Sequence, residues 1–342
     1  MNQNNTIDDV ARLAGVSRAT AGRVVGGYGS ASEESREKVL LAVKELNYTP
    51  NLIAQGLRSH NTKTIAVILG SIKNNYCNAL VYAVEKEAQK KGYNVIICNT
   101  HEEIEKEIVH LQNMRSRQVD GIILMSAFTA DEQIPEKYKE LYNNEYPLVF
   151  VDRKIQGIES NTFQSDNVDA SYEATKYLLG LGHKKIGIIA TADYSTVRER
   201  IKGYAKALEK YDIPYEGDFI LSVPLNDRDE AQKMTERLLD NHPDITAIYV
   251  LNNSLCSGVL LELKKRKLEV AKDISLLVWD DEEMNELLDI TTVVQQIEKI
   301  GKLATKRLLE IIRSVDGEKK RSSTDILEAH LVYRKSCAEV KR

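Results

Sequence analysis

The sequence predicts a small N-terminal all-α domain followed by an α/β core of two doubly wound, parallel-sheet subdomains. Three observations carry that prediction. Residues 6–25, TIDDVARLAGVSRATAGRVV, hold two short stretches of helical apolar spacing joined through a glycine. From Thr64 onward, near-continuous apolar runs of strand length alternate with amphipathic helical stretches, as in parallel sheets buried on both faces. After Ser165 the same rhythm begins again, so two sheets are expected rather than one.

The first helix carries Ile7, Val10, Ala11 and Ala14 at helical spacing. Thr6 is placed to cap it, with Asp9 three residues on and acidic residues in the first turn. Gly15 stands where a left-handed capping residue is expected. Ser17 can cap a second helix whose buried side is Ala21, Val24 and Val25, leaving Arg18, Ala19, Gly22 and Arg23 on other faces. Two short helices about a tight glycine turn form a helix-turn-helix, a motif that places its second helix in the major groove of DNA. A third helix, SEESREKVLLAVKELNY, begins at Ser32 with Val39, Leu40, Val43 and Leu46 as its apolar stripe and closes a three-helix domain. Pro50 ends it. The following NLIAQGLRSHNTKT is short and contains Gly56, so it reads as a linker that folds when something stabilises it.

In the core, TIAVILG, YNVIICN, DGIILMS and PLVFVD are expected strands, separated by helices at 78–91, 103–117 and 135–143. SYEATKYLLGLG then leads to KKIGIIA, a helix over 198–211 to FILSV, one over 230–241 to AIYVL, and one over 256–267 to ISLLVWD. Ligands in such folds bind beyond the carboxyl ends of the strands, here between the subdomains. His183 lies in a turn before a strand and is expected at the surface or in a cap.

The 342 residues suffice for two or three domains, and the composition is that of an ordinary globular protein. The net charge of −4 excludes a polycation, so a DNA contact must rest on local charge placement. Cys77, Cys98, Cys256 and Cys337 form no CxxC pair and match no zinc spacing; a reducing cytoplasm, with no metal and no cofactor, is the expectation. The N-terminus has no signal-peptide pattern, and no apolar run reaches the ~20 residues of a membrane span. Neither GxSxG, HExxH, a P-loop nor a complete GxGxxG occurs, which argues against an enzyme.

These motifs together resemble the lactose-repressor (LacI/GalR) family of bacterial transcription regulators. The resemblance runs from Thr6 to about Cys337 through TIDDVARLAGVSRAT, AQGLRSHNTKTIAVI, VDGIIL, PLVFVDR, SDNVDASYEATKYLLGLGHKKIGII, RIKGYAKAL, DISLLVWDD and LVYRKSC. It implies a helix-turn-helix domain over 1–49, a hinge helix over 50–62 and an effector-binding core over 63–342. The core would resemble type I periplasmic sugar-binding proteins, with one subdomain over about 63–162 and 295–323 and the other over about 163–294 and 324–342. It further implies a homodimer that acts as a repressor on a pseudo-palindromic double-stranded operator. The chain has no apolar heptad tail, so a dimer rather than a tetramer is expected.

Carried over residue by residue, Arg18, Ala19 and Arg23 read bases, Ser17, Thr20 and Tyr48 position phosphates, and Thr6, Asn51 and Ala54 complete the DNA surface. Arg can bind guanine through two hydrogen bonds, worth ~1–3 kcal/mol of discrimination, whereas Ala19 offers a methyl contact only. Leu57 would be a wedge at the operator's central step. The effector, a sugar, sugar acid or sugar phosphate, would meet Tyr76, Asp152, Tyr194, Thr196, Arg200, Asn252, Trp279 and Asp280. Asp152 and Asn252 fit either cleft contacts or hinge structure, and Trp279 either a ligand face or core. Rival readings of the core are a solute-binding protein without a DNA role, or a sugar-acting enzyme. The chain departs from the family where Gly22 replaces a common Ser, Gly26 a common Asn, Asn253 a common Asp, and Asn74-Asn75-Tyr76-Cys77 a common NPFF.

Overall fold

The computed structural model describes residues 5–26, 28–48, 62–142, 146–224, 227–314 and 322–340. The chain forms two units, residues 1–63 and 64–342.

In the first unit α1 spans Ile7–Ala14, α2 Arg18–Gly26 and α3 Glu33–Glu45. A reciprocal capping box opens α1: the Asp9 amide donates to Thr6 Oγ1 and the Thr6 amide to Asp9 Oδ2 at 2.9 Å. Gly15 closes α1 with φ +65°, a left-handed conformation that only glycine adopts without strain. Ser17 Oγ accepts from the Thr20 amide at 3.1 Å and starts α2. Val10, Ala11, Ala14, Ala21, Val39 and Ala42 are buried, and the small side chains let the three helices approach closely. The expected stripe of α3 needs one correction. Leu40 is exposed, and Ala42 joins Val39 in the core with Val43 and Leu46 packed beside them. Positions 39, 42, 43 and 46 share a helix face, whereas 40 lies a further 100° round. Of the linker, Asn51, Ala54, Leu57 and Pro50 lie outside the described residues.

The core contains two six-stranded sheets. The strands are β1 Thr64–Leu69, β2 Asn94–Asn99, β3 Gly121–Leu124, β4 Leu148–Val151, β5 Asn161–Ser165 and β6 Ile186–Ala190. They continue with β7 Ile220–Ser222, β8 Ala247–Val250, β9 Ser275–Trp279, β10 Thr291–Val294, β11 Thr324–Leu327 and β12 His330–Val332. The first sheet has the order β11-β5-β4-β3-β1-β2 and the second β12-β10-β9-β8-β6-β7. Among the described residues all strand pairings are parallel except β10 with β12, which is antiparallel. Helices Asn75–Gln89 and Ile297–Arg313 cover one face of the first sheet, and Ile104–Ser116 helps to cover the other. Residues 136–142, expected as a helix, form 3-10 turns.

Strand pairing moves the subdomain boundaries. β5 continues to Ser165 within the first sheet, and Thr324–Leu327 pairs with it, so these residues belong to the first subdomain rather than the second. The chain therefore crosses between subdomains after Ser165, after Val294 and after Leu327. The crossovers are tied to one another: the Ala329 amide donates to Asp166 Oδ1 at 2.6 Å, and Gln296 Nε2 donates to the Glu328 carbonyl at 2.6 Å. His183 is a further correction. It is buried, its Nδ1 lies 2.9 Å from Thr246 Oγ1, and burial lowers its pKa below the usual histidine value.

Candidate effector cleft and DNA-reading surface

The carboxyl ends of strands from both sheets converge on one narrow cleft. From the first subdomain come Asn74, Tyr76 and Cys77 at the start of the helix after β1, Met125 after β3, and Asp152 and Arg153 after β4. From the second come Thr191 after β6, then Tyr194, Thr196, Val197 and Arg200, Asn252 after β8 and Asp280 after β9. Gln295 enters from the second crossover. Asn74 caps its helix by accepting from the Tyr76 amide at 2.8 Å, which sets the Tyr76 ring at the cleft wall. Asp152 and Asp280 sit at φ +61° and +73°, sparsely populated for a residue with a side chain and tolerated best by Asp and Asn.

Arg200 is held before any ligand arrives. Its Nε donates to Asn167 Oδ1 at 3.0 Å, its Nη1 to the Leu251 carbonyl at 2.7 Å, and its guanidinium lies 4.0 Å from the Trp279 ring centre. Gly203, one turn on, lets this helix press against Asn167–Gly180: a Cβ there would sit 2.2 Å from the Val168 carbonyl oxygen. Arg153 binds Glu102 through Nη1 at 2.5 Å and Nη2 at 3.2 Å, donates to the Ser126 carbonyl at 3.2 Å, and stacks 3.5 Å from the Tyr194 ring centre. That stacking joins the two subdomains across the cleft. Further contacts join its rims: Arg198 donates to both oxygens of Asp131 at 2.8 Å, and the Ala130 amide to the Asp193 carbonyl at 2.8 Å.

The electrostatics follow from burial. Burial pushes the Asp280 carboxyl up to about 6, against the Arg200 charge and the Gln295 amide, which donates to Asp280 Oδ1 at 2.6 Å. Gln295 in turn accepts from Ser165 Oγ at 2.6 Å, so Asp280 is linked to the first and second crossovers. Burial also raises Asp152, opposed by Arg200 and Arg153. Tyr76 is driven well above its usual value by burial and by the two aspartates. Among the described residues, Tyr76 Oη and Arg153 Nε are buried polar atoms with no hydrogen-bond partner. A buried donor left unpaired costs about 1–3 kcal/mol, and a ligand acceptor would recover it. Below the cleft floor, buried Glu107 accepts from the Ala127 amide at 2.5 Å and from Tyr142 Oη at 2.8 Å; burial pushes it up to about 7.

Seven of the eight residues expected at the effector site line this cleft: Tyr76, Asp152, Tyr194, Thr196, Arg200, Asn252 and Asp280. Trp279 does not. It is wholly buried behind Arg200, and its place is the core. Asn252 also has a structural task, capping a turn by accepting from the Ser254 amide at 3.0 Å. Sequence reasoning missed Arg153, Gln295, Met125, Thr191 and Val197 as cleft residues. For Arg153 the signal was present, because it adjoins Asp152 at the same strand end.

On the first unit, Ser17, Arg18 and Ala19 are exposed on the N-terminal part of α2. Arg18 Nε lies 3.3 Å from Asp8 Oδ1. Arg23 folds back along its helix, donating from Nε to the Ala19 carbonyl at 3.3 Å and from Nη2 to Thr20 Oγ1 at 3.4 Å. Thr6 Oγ1 is engaged in the capping box and Tyr48 packs against the small core. Of the two departures in α2, one has a steric reason. The Tyr28 ring lies over Gly26, where a Cβ would meet it at 2.3 Å, whereas a Cβ at Gly22 would make only an ordinary contact with the Tyr28 hydroxyl, at 3.5 Å.

Comparison with known proteins decides the family. A model of the bacterial regulatory proteins of the lacI family matches residues 6–51. A model of periplasmic binding proteins and the sugar binding domain of the LacI family matches residues 62–337. The chain belongs to the LacI family. It is similar to the probable HTH-type transcriptional regulator EndR of Paenibacillus polymyxa, 34% identical over 314 residues and 90% of either chain. It is also similar to the HTH-type transcriptional repressor PurR of Haemophilus influenzae, 31% identical over 342 residues, covering 98% of this chain and 99% of the relative. Among solved structures, the Lac repressor dimer bound to operator and the anti-inducer ONPF superposes with a TM-score of 0.85, at 26% identity, over 98% of this chain and 100% of that one. The transcriptional regulator CelR–cellobiose complex gives 0.71 at 25% identity, over 97% and 99%. This LacI-family member is thus a DNA-binding transcriptional repressor and not an enzyme. No helix among the described residues is long and apolar enough to cross a membrane.

Proposed function

We propose that the chain acts in the cytoplasm as a homodimeric repressor of a pseudo-palindromic operator, released or recruited by a small carbohydrate-type effector in the cleft. In this reading Arg18 and Arg23 read bases, Ala19 contacts a methyl group, and Thr6, Ser17, Thr20 and Tyr48 set the register on phosphates. The linker residues Asn51, Ala54 and Leu57 enter the minor groove, where Leu57 opens the central step. The observation that carries the effector reading is the cleft itself. Carboxylates, guanidiniums and an aromatic hydroxyl from both subdomains face one space, and two of their buried donors, Tyr76 Oη and Arg153 Nε, have no hydrogen-bond partner among the described residues. Fixed carboxylate and guanidinium groups suit ligands with adjacent hydroxyls. The likeness to a regulator whose structure was solved in complex with cellobiose supports the same class.

An effector gripping both rims favours one angle between the subdomains and controls the operator through its differential affinity for the two states. The test is fluorescence anisotropy of a labelled operator against a panel of sugars and sugar derivatives, for the wild type and Arg200→Ala. One panel member should shift the wild-type operator affinity at least fivefold, and Arg200→Ala should bind the operator without responding. A variant that responds as the wild type does removes Arg200 from the site. A panel with no effect on the wild type removes the carbohydrate class.

A further inference from the structure

We propose that Asp8 is a positioning residue for DNA reading, which holds the Arg18 guanidinium so that its terminal nitrogens meet a base edge rather than a phosphate. The proposal rests on Arg18 as a base-reading residue, and it starts from a division of labour in the first turn of α1. Asp9 performs the capping, exchanging hydrogen bonds with Thr6 and pairing with Arg12 at 3.1 Å. Asp8 takes no part in the cap, and its carboxylate lies against Arg18 of the next helix instead, at 3.3 Å. The two side chains are 50% and 64% exposed, so the pair adds little to stability.

A carboxylate on a DNA-facing surface also opposes binding, because it repels phosphates and cancels part of the favourable charge. Its contribution is therefore geometric. Arg18 is a long side chain on an exposed helix end, and without a partner it can reach phosphates as easily as bases. The approach is through Nε, on the stem side of the guanidinium. Among the described residues Nη1 and Nη2 of Arg18 make no hydrogen bond, so the fork that matches guanine O6 and N7 remains available. The Asp8 charge at the same time disfavours a swing toward the phosphate backbone.

The experiment is selection from randomised duplexes on the purified full-length chain at one moderate salt concentration, for the wild type, Asp8→Asn, Asp8→Ser, Arg18→Ala and the Asp8→Asn/Arg18→Ala double variant. Circular dichroism checks that each retains its helices. Arg18→Ala should erase a guanine preference at one base pair of each half-site. Asp8→Asn and Asp8→Ser should reduce that same preference several-fold while tightening binding to random duplex several-fold, a combination that loss of structure cannot produce. In the Arg18→Ala background, Asp8→Asn should leave base preference unchanged and still tighten random binding. Full guanine preference in both Asp8 variants, with its loss in Arg18→Ala, overturns the role of Asp8 alone. An unaltered preference in Arg18→Ala overturns the base-reading role on which it rests.

Discussion

Asp280 is a cleft carboxyl kept at a cost to stability. Its carboxyl is pushed up to about 6 by burial, from an ordinary value of 3.8. A carboxyl whose folded-state pKa exceeds its unfolded value binds its proton more tightly in the native chain. The stability it contributes is therefore complete below about pH 4 and is lost as pH rises to about 6. The difference corresponds to about 3 kcal/mol of core stability forgone at neutral pH. Asp280→Asn should accordingly raise the melting temperature of the core at pH 7, and the gain should vanish near pH 4. On the proposed reading of the cleft, the same variant should weaken effector binding, since an amide would replace the carboxylate offered to ligand hydroxyls. Thermal melts across pH 4–7 check the first, and calorimetric titration the second. At this scale Arg200 was legible only through the resemblance, since RIKGY matches a family motif that implies an arginine in the cleft. Gln295 was not: a lone amide in an irregular crossover has no spacing, and only the fold brings it 2.6 Å from Asp280.

The helix Ser195–Lys210 fixes Tyr194, Thr196, Val197 and Arg200 in the cleft, and its seat depends on Gly203. Because the neighbouring atom is a backbone oxygen at 2.2 Å, an added methyl cannot be absorbed by a side-chain rotation. Gly203→Ala should destabilise the core by about 1–3 kcal/mol in denaturant melts and weaken effector binding as Arg200 shifts. Strands and helices with apolar runs, such as TIAVILG and GIILMS, were legible at this scale, as was the capping box at Thr6 and Asp9. The edge of the first sheet was not. Asn161–Ser165 is buried at all five positions yet has mostly polar side chains, so its composition resembles a loop. Thr324–Leu327 is largely exposed and only four residues long. Leu40 misled for the opposite reason: it is apolar but lies on the solvent side of α3, beside a core made largely of alanine.

In the core as a whole, three crossovers and a set of rim contacts decide how the subdomains meet. Arg198 and Asp131 form the clearest bridge, and the hydrogen bonds from Arg198, together with its charge, hold the Asp131 carboxyl below the usual range. Both are well exposed, so the pair is screened by solvent and biases the closed-to-open ratio only modestly. Arg198→Ala should weaken effector affinity by about two- to fivefold with little effect on melting temperature, and high salt should reproduce part of that loss in the wild type. The two-sheet architecture was legible because buried parallel strands need continuous apolar sequence. The boundary near residue 324 was not, because a short strand can join either sheet until its partner is known.

The central claim is that this LacI-family chain reads DNA as a symmetric pair and that the cleft controls it. Selection of randomised duplexes on the purified full-length protein, at fixed moderate salt and with or without a sugar library, tests it most directly. The account predicts enrichment of two inverted half-sites about a deformable central step, with the library strengthening or abolishing retention. Enrichment of a single unpaired half-site would contradict the dimeric reading. No enrichment with or without the library would contradict the reading of DNA under carbohydrate control.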